Sequence, residues 1–535
     1  MNARAARSWL ALVLGAGACG IAHAERPEFA ASAEVQQFVE DQLSGDNGDD
    51  AIYTEVAGTA SARFSNRRLQ MAGTYRLGYR IGEWGEVDEN VTQDGLLRME
   101  AKLVDEWLTL DAGAIATRSR VDPAGPAPQL NGANAKNLAQ TYSIYMQPTL
   151  AHHVGDLDFA ASYLQSYTTN DGKDALLSRR ALANRFESAR NQEAQIVIGM
   201  ERGELPLDWK VTSQYRRENA TALAQHLRSK SVVGEITIPL TGSLAYVGSA
   251  GYESTTTSQR SALVDPGTGL PVTTRNGRFV ADPASPRFLT YDVAGLIADA
   301  GIVWRPSRRT RAEVRAGRRY GDLSVTALIQ MRPSDRTGLT LAVTDRIQSF
   351  AQDVSSALSD APTNLDLDRS VDPGRAFQDC LFGKTAGEGR CLGGALGQAS
   401  GNTYRERAAT LLFVHRMRRW NLATMLGYSH RTYIDVPGTL FSLDGVVDQS
   451  FYGSLEIAGR LSSKSGLSFS FNGNMFKNGQ AGTSDVVSGL FSTSYYRTFG
   501  RGLRAQARFS VDASKEDGDT TDVEGRAQLG VRYDF

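Results

Sequence analysis

The chain has 535 residues, 41% of them hydrophobic, with 53 glycines, 16 prolines and a formal charge of −1. This balance of charge argues against a nucleic-acid partner. The length would ordinarily correspond to several soluble domains, but no proline- or serine-rich linker divides the sequence, and short alternating segments follow one another from about residue 27. These features favour one large β domain, residues 25–535, without a linker.

The N-terminus has the pattern of a secretory signal. Two arginines precede an apolar run at residues 9–18, and Ala22 and Ala24 supply the small residues that signal peptidase requires. We therefore predict a cleaved signal peptide over residues 1–24. No later run approaches the roughly 18 consecutive apolar residues of a spanning helix, so the exported chain either is soluble or crosses a membrane as strands.

About 22 segments alternate between apolar and polar residues with the period of two that is typical of β-strands. Segment 69–81 is the clearest, since its odd positions are apolar or glycine and its even positions are polar or small. The predicted strands are 27–39, 52–64, 69–81, 95–105, 107–118, 139–153, 157–168, 188–202, 207–218, 226–240, 243–254, 290–305, 310–320, 322–333, 337–348, 403–416, 420–431, 449–461, 467–477, 485–498, 503–514 and 521–535.

The connections between these segments alternate between short turns and long loops. The long ones include 82–94, 119–138, 169–187, 255–289, 349–402 and 432–448, and the one tight connection out of place is at Gly321. Such alternation is expected when all short turns share one rim of an antiparallel barrel, the short-turn rim, and all long loops share the other, the long-loop rim. With the short turns in the periplasm, both termini are periplasmic and the long loops are extracellular.

The final segment, 522–535, resembles the closing strand of bacterial outer-membrane β-barrels. Its apolar face ends in Val531, Tyr533 and Phe535, which the resemblance identifies as a signal read by the barrel-assembly machinery. The alternative from this segment alone is an amphipathic strand on a soluble core. A soluble propeller would need blade repeats of about 40–50 residues, and no motif recurs at that period.

Aromatic residues mark two levels along the predicted strands. Trp107, Trp209, Trp304 and Trp420 each lie within three residues of a short turn and predict a periplasmic girdle. Five tyrosines near the opposite strand ends predict an outer girdle: Tyr163, Tyr215, Tyr252, Tyr320 and Tyr428. The sequence thus predicts a transmembrane antiparallel β-barrel in the outer membrane of a Gram-negative bacterium, in contact with outer-membrane lipid and lipopolysaccharide.

Four stretches carry a resemblance to a family: Ala101–Arg120, Ala139–Tyr163, Gly301–Asp322 and Phe441–Phe451. They resemble exported barrel proteins of alphaproteobacteria that are related to outer-membrane proteins of exopolysaccharide loci and protein-sorting systems. The resemblance implies a barrel that serves as a polysaccharide conduit, with polysaccharide-export components as partners. Some relatives are labelled a YajC-type preprotein translocase subunit, but those subunits resemble short single-helix proteins, a pattern that this sequence does not match.

No enzyme is predicted. A barrel hydrolase needs a histidine beside a nucleophile or acid near the extracellular rim, and only His226 and His430 lie at that end, neither with an identifiable partner. No zinc spacing, phosphate-binding loop or dinucleotide motif occurs, so we predict no cofactor and no metal. A TonB-dependent receptor would also have 22 strands, but the first strand begins too early for its plug, and no plug domain is predicted.

The interior of a pore would be lined by the polar phase of the strands. In five well-phased strands this phase holds eleven basic residues against the acidic Asp208, Glu313, Asp512, Glu524 and Asp534. A basic lumen favours anionic solutes, whereas a lattice of arginine and carboxylate pairs would brace the wall and select nothing. The eleven basic residues are Arg76, Arg80, Lys210, Arg216, Arg311, Arg315, Arg319, Arg504, Arg508, Arg526 and Arg532.

The longest loop, 349–402, contains both cysteines of the mature chain. Export into an oxidising compartment predicts a disulfide between Cys380 and Cys391, worth roughly 3 kcal/mol by loop entropy. A loop of this length is expected over the pore or folded into it. Two function classes follow: a pore for anionic or polymeric solutes, extending to exopolysaccharide export, or a structural barrel whose loops bind a partner.

Overall fold

The computed structural model describes residues 27–45, 50–87, 91–121, 133, 137–171, 186–200, 206–274, 278–365, 380–382, 389–397, 399–438, 442–480 and 483–535. The predicted signal peptide with Ala22 and Ala24 lies outside these residues. Within the described part, no helix is long and apolar enough to cross a membrane.

Twenty-two strands form one antiparallel sheet that closes on itself, which confirms the predicted barrel and its strand number. Each predicted segment coincides with one barrel strand. The first fifteen are β1 Glu28–Ser44, β2 Ala51–Ser65, β3 Leu69–Trp84, β4 Val91–Val104, β5 Leu108–Arg120, β6 Leu138–Val154, β7 Leu157–Asp171, β8 Ser188–Met200, β9 Asp208–Ala220, β10 His226–Pro239, β11 Leu244–Gln259, β12 Phe288–Ser307, β13 Thr310–Arg319, β14 Asp322–Ser334 and β15 Thr337–Gln348.

A long connection with structure of its own follows β15. It contains helix α1 Phe350–Ser359, a small hairpin of β16 Cys380–Phe382 and β17 Gly389–Cys391, and the single-turn helix α2 Gly393–Leu396. The remaining barrel strands are β18 Thr403–Arg416, β19 Trp420–Ile434, β20 Val447–Ser462, β21 Ser465–Lys477, β22 Val486–Phe499, β23 Leu503–Glu516 and β24 Asp522–Asp534.

The barrel closes by antiparallel pairing of β1 with β24, in which Val35 lies opposite Val531. The outward phase of the strands carries large apolar side chains that are exposed, among them Val35, Leu77 and Leu296. The inward phase carries the polar and charged residues. This arrangement is inverted relative to a soluble β protein and is that of a barrel whose exterior faces lipid.

The tight connection at Gly321 is a two-residue hairpin between β13 and β14. Tyr320 and Gly321 both have positive φ, 53° and 78°, as a type I′ turn requires. The prediction that Tyr320 belongs to an outer aromatic girdle is wrong, because its side chain is 8% exposed. The hairpin ends below β12, which extends ten residues beyond the Ala298–Arg318 pair, and Tyr320 packs inward with Leu227, Ile347 and Ile434.

Candidate functional site: the lumen and its inserted loop

The connection 349–402 is here called the inserted loop, and its first described part, residues 349–365, enters the barrel. It leaves β15 at the long-loop rim, and α1 then packs against β5, β6, β7 and β8. Phe350, Val354 and Leu358 of α1 are almost fully buried and join a core with Leu96 and Ile115, which project inward from β4 and β5. The interior of the barrel therefore has a hydrophobic core on this side, formed between its wall and its own loop.

Polar contacts hold the start of α1 against two walls. Ser349 caps the helix, accepting from the backbone N–H of Gln352, and its hydroxyl donates to Glu218 of β9 at 2.7 Å. On the other side, Asp353 accepts from the Tyr404 hydroxyl at 3.0 Å and pairs with Arg431 at 3.4 Å. The helix is thus fixed between β9 and the β18–β19 wall.

The end of α1 is held by Arg98 of β4. Its guanidinium donates to the carbonyl oxygens of Ser359 and Ala361, both at 3.0 Å, and also pairs with Asp111 at 2.9 Å. A cation at the C-terminus of a helix satisfies carbonyl groups that lack helical partners and complements the helix dipole. Arg98 also lies over the ring of Tyr145, 5.3 Å from its centroid.

Beyond α1 the chain continues toward the short-turn rim. Thr363 donates to Gln70, the second residue of β3, and the carbonyl of Leu365 accepts from Arg63 at 2.6 Å, two residues before β2 ends. The described part of the inserted loop therefore extends along most of the barrel's height inside the lumen. The sequence predicted a loop over or within the pore, and residues 350–365 of this loop, with Leu392, Leu396 and Ala399, lie within it.

The two cysteines lie in the small hairpin of the inserted loop. β16 pairs with β17 so that Cys380 is directly opposite Cys391. Cα atoms of directly opposed residues are about 4.5 or 5.5 Å apart, within the range that disulfides require. The disulfide remains a prediction that this register supports.

Ten of the eleven basic residues predicted to face the lumen form the following ion pairs. Arg76 contacts Glu34 and Glu55, at 2.6 and 2.5 Å, and Arg80 contacts Glu55 at 2.9 Å. The other pairs are Lys210–Glu235, Arg216–Glu193, Arg311–Glu313, Arg315–Glu235, Arg319–Glu253, Arg504–Asp534, Arg526–Glu40 and Arg532–Asp534. Arg508 lies opposite Gln528 on β24. This geometry favours the lattice of arginine and carboxylate pairs that braces the wall over a lumen rich in unpaired basic side chains.

Several of the carboxylates in this lattice were missing from the sequence-based comparison of charges. Glu34 and Glu40 come from β1 and Glu55 from β2, strands that were not included in the comparison. In β1 the buried residues occupy even positions, and in β2 they occupy odd positions. This period of two was visible in the sequence. Counting every strand would have shown the balance of charge.

A different surface lines the lumen at β20, β21 and β22. Its inward side chains are mainly hydroxyl and amide groups, which bond across strands at Ser450–Asn474, Ser468–Ser494 and Ser470–Ser492, with distances of 3.0, 2.6 and 3.0 Å. Along β21 and β22 the inward phase carries no charged residue, so this part of the surface presents donors and acceptors without fixed charge.

The predicted assembly signal and periplasmic girdle face outward at the expected strand ends. Val531, Tyr533 and Phe535 are all exposed on the outside of β24, with the rings of Tyr533 and Phe535 5.1 Å apart. Trp107 and Trp304 are exposed at the short-turn rim, where Trp209 and Trp420 also lie in the outward phase. Tyr163, Tyr215 and Tyr252 are also exposed, Tyr215 nearer the long-loop rim and the other two near the middle of their strands. The girdle and the assembly signal remain predictions consistent with these positions.

The closed sheet, the inverted polarity and the exposed apolar band together decide the class. The protein is an outer-membrane-type β-barrel. No family model and no curated protein matches the chain. Solved structures that match include the ferric-catecholate import receptor Fiu from E. coli K12, with 10% identity, 96% of this chain and 83% of that chain covered, and a TM-score of 0.45.

Two other matches are similar in extent. The siderophore receptor PiuA from Acinetobacter baumannii has 9% identity, 94% and 82% coverage and a TM-score of 0.44. OmpT, an outer membrane protein of Vibrio cholerae, has 7% identity, 97% and 100% coverage and a TM-score of 0.29. At these values the similarities indicate no particular function.

Proposed function

We propose that the protein is an outer-membrane conduit for polymeric solutes, with the inserted loop as its gate. The observation that carries this proposal is the position of α1, which lies across the lumen and is held by Glu218 on one wall and Arg431 on another. Loops longer than about 12–15 residues inside compact domains are usually functional. In the proposed orientation of the barrel in the membrane, the long-loop rim is extracellular and both termini are periplasmic.

The character of the lining supports a polymer rich in hydroxyl groups as the solute. The inward basic residues that would attract anions are engaged by carboxylates, whereas β21 and β22 offer neutral hydroxyl and amide groups. A polysaccharide can exchange its hydration for such groups without a charged partner. This agrees with the exopolysaccharide export that the family resemblance implies, and anion transport is the secondary form of the proposal.

Planar-bilayer recordings of the refolded mature chain test the proposal. Replacing residues 351–401 by a short glycine-serine linker should raise the single-channel conductance severalfold and should admit larger dextrans in vesicle-swelling assays. Heat-modifiable migration on gels provides the control for barrel formation. An unchanged conductance and unchanged dextran exclusion would contradict the gate.

The alternative is a barrel that transports nothing and binds a partner through its loops. The specific observation in its favour is the density of the packing around α1, where Phe350 and Leu358 are 0% exposed. A loop that never leaves this position would serve as a brace. In that case the deletion variant should unfold at lower denaturant concentration and should still show no conductance.

A further inference from the structure

A cluster of basic side chains lies on the outside of the barrel, on three neighbouring strands next to the long-loop rim. Its members are Arg190 of β8, Arg217 of β9, and Arg228 and Lys230 of β10, here called the outer basic patch. All four are exposed, and they share the outward phase, as the register shows for Arg217 opposite Arg228 and for Tyr215 opposite Lys230. None of them lines the lumen.

The outer basic patch differs from the arginines of the lumen in having no carboxylate partner among the described residues. Within the described residues, no ion pair involves any of its four side chains. The nearest acidic residue of the same phase is Asp292, which lies opposite Thr256, itself opposite Arg228. Two strand spacings, about 10 Å, therefore separate Asp292 from Arg228.

Repulsion within the patch is built into the strand register. Arg217 and Arg228 are directly opposite each other, and like charges in that position destabilise a sheet. Arg287, at the base of the neighbouring loop, adds a third positive charge, and together with Arg217 and Arg228 it interacts electrostatically with His226. A bound anion would convert this repulsion into attraction, which is the physical reason to look for a ligand.

The level of the patch identifies the kind of anion. Below it, the outward residues of β9 are Tyr215, Ser213, Val211 and Trp209, and those of β10 are Val232, Gly234, Ile236 and Ile238. The eight residue steps from Trp209 to Arg217 extend about 27 Å along the strand, or about 21 Å along the barrel axis at a tilt of about 40°. The apolar band of such barrels is about 25 Å tall, so the patch lies in the upper part of the band, from which the long side chains of arginine and lysine extend to the headgroups.

We infer that the outer basic patch is a binding site for the phosphate groups of an outer-leaflet glycolipid of the lipid A class. Each guanidinium group can bind two phosphate oxygens at once, and the ammonium of Lys230 adds a point charge. Tyr215 and Val232 contact the adjoining acyl region. The inference rests on the orientation proposed above, with the long-loop rim outside, and is independent of whether the lumen conducts.

Native mass spectrometry of the delipidated full-length mature protein, titrated with diphosphorylated lipid A in detergent, tests the site. The triple variant Arg217→Gln, Arg228→Gln, Lys230→Gln should bind this lipid at least tenfold more weakly than the unmodified protein. A matched control is Lys477→Gln with Lys515→Gln, two isolated exposed lysines at the same rim on β21 and β23, which should bind as the unmodified protein does.

Two further probes distinguish the lipid from other ligands. Dephosphorylated lipid A should bind the unmodified protein no better than the triple variant binds the phosphorylated form, and binding should weaken as salt is added. Equal binding of phosphorylated lipid A by the triple variant would overturn the inference. Displacement of the lipid by low millimolar inorganic phosphate would also overturn it, since the site would then recognise a free anion. Heat-modifiability confirms that each variant is folded.

Discussion

Arg526 of the last strand and Glu40 of the first form an ion pair of 2.8 Å across the seam that closes the barrel. Arg526 also donates to the hydroxyl of Tyr53, which in turn donates to Glu40 at 2.7 Å. All three side chains are buried. Closure therefore depends on a polar network in addition to the backbone ladder between β1 and β24.

The variant Arg526→Leu tests this network. Removal of one partner leaves the Glu40 carboxylate buried and unpaired, which should lower the free energy of unfolding by about 3–5 kcal/mol. The exposed pair Arg68–Asp105, 2.9 Å long, provides the control, because Arg68→Leu should cost about 0–1 kcal/mol. Urea unfolding followed by tryptophan fluorescence in detergent measures both. Equal effects of the two changes would contradict the role of the seam pair.

The second prediction concerns the packing of α1 in the lumen. Leu358→Ala should weaken docking of the inserted loop by about 2–5 kcal/mol, because it leaves a cavity in the core shared with the wall. We expect more frequent channel opening and faster proteolysis of the loop, with the barrel still heat-modifiable. Leu270→Ala, at an exposed position in another loop, is the control. If the channel opens equally often in both variants, the packing of Leu358 in the core does not control gating.

The third prediction compares paired charges that differ in exposure. The side chains of Lys210 and Arg311 are 48% and 44% exposed, whereas that of Arg504 is 12% exposed. Lys210→Gln with Arg311→Gln should shift the reversal potential toward cations, most clearly at low salt. Arg504→Gln with Arg508→Gln should instead lower the unfolding midpoint and leave the reversal potential unchanged. The opposite pattern would assign selectivity to the β23–β24 wall.

The fourth prediction is a dependence of loop docking on pH. Burial raises the pKa of Asp353 in α1, and the nearby Glu406 carboxylate raises it further, while Arg431 and Arg346 act in the opposite direction. Because the docked carboxyl binds its proton more tightly than a free one, docking is unaffected below the ordinary Asp pKa of about 3.9. It weakens as the pH rises through the raised value.

Open probability should therefore increase with pH in the unmodified protein and vary little in Asp353→Asn, which keeps the uncharged form. Recordings over a pH series on both proteins give the comparison. If the asparagine variant retains the same pH dependence, another group is responsible for it.

The fifth prediction concerns assembly. Deleting Phe535 removes the exposed terminal aromatic that stacks edge-on with Tyr533, and insertion into the outer membrane should fall while export continues. Quantification of heat-modifiable barrel in the membrane fraction measures this. Undiminished barrel in that fraction would show that the terminal aromatic is dispensable.

The sequence by itself determined the strands, their number and the faces that they present to lipid. Alternation with a period of two is a local property, because each side chain follows from the pleat of its own strand, so segments such as 69–81 could be recognised without knowing their neighbours. The inward position of Tyr320 could not be predicted from the sequence. It depends on where the β13–β14 hairpin ends and on contacts with residues of other strands.

The tertiary structure alone decided the state of the lumen. Ser349 and Glu218 are 131 positions apart, and Arg98 is 263 positions from the carbonyl of Ala361 that it binds. Such contacts depend on which walls of a closed barrel face one another, and no periodicity records that. The pairing of Arg526 with Glu40 is decided in the same way: both residues are polar and inward by their strand phase, but they become partners only because β24 closes against β1.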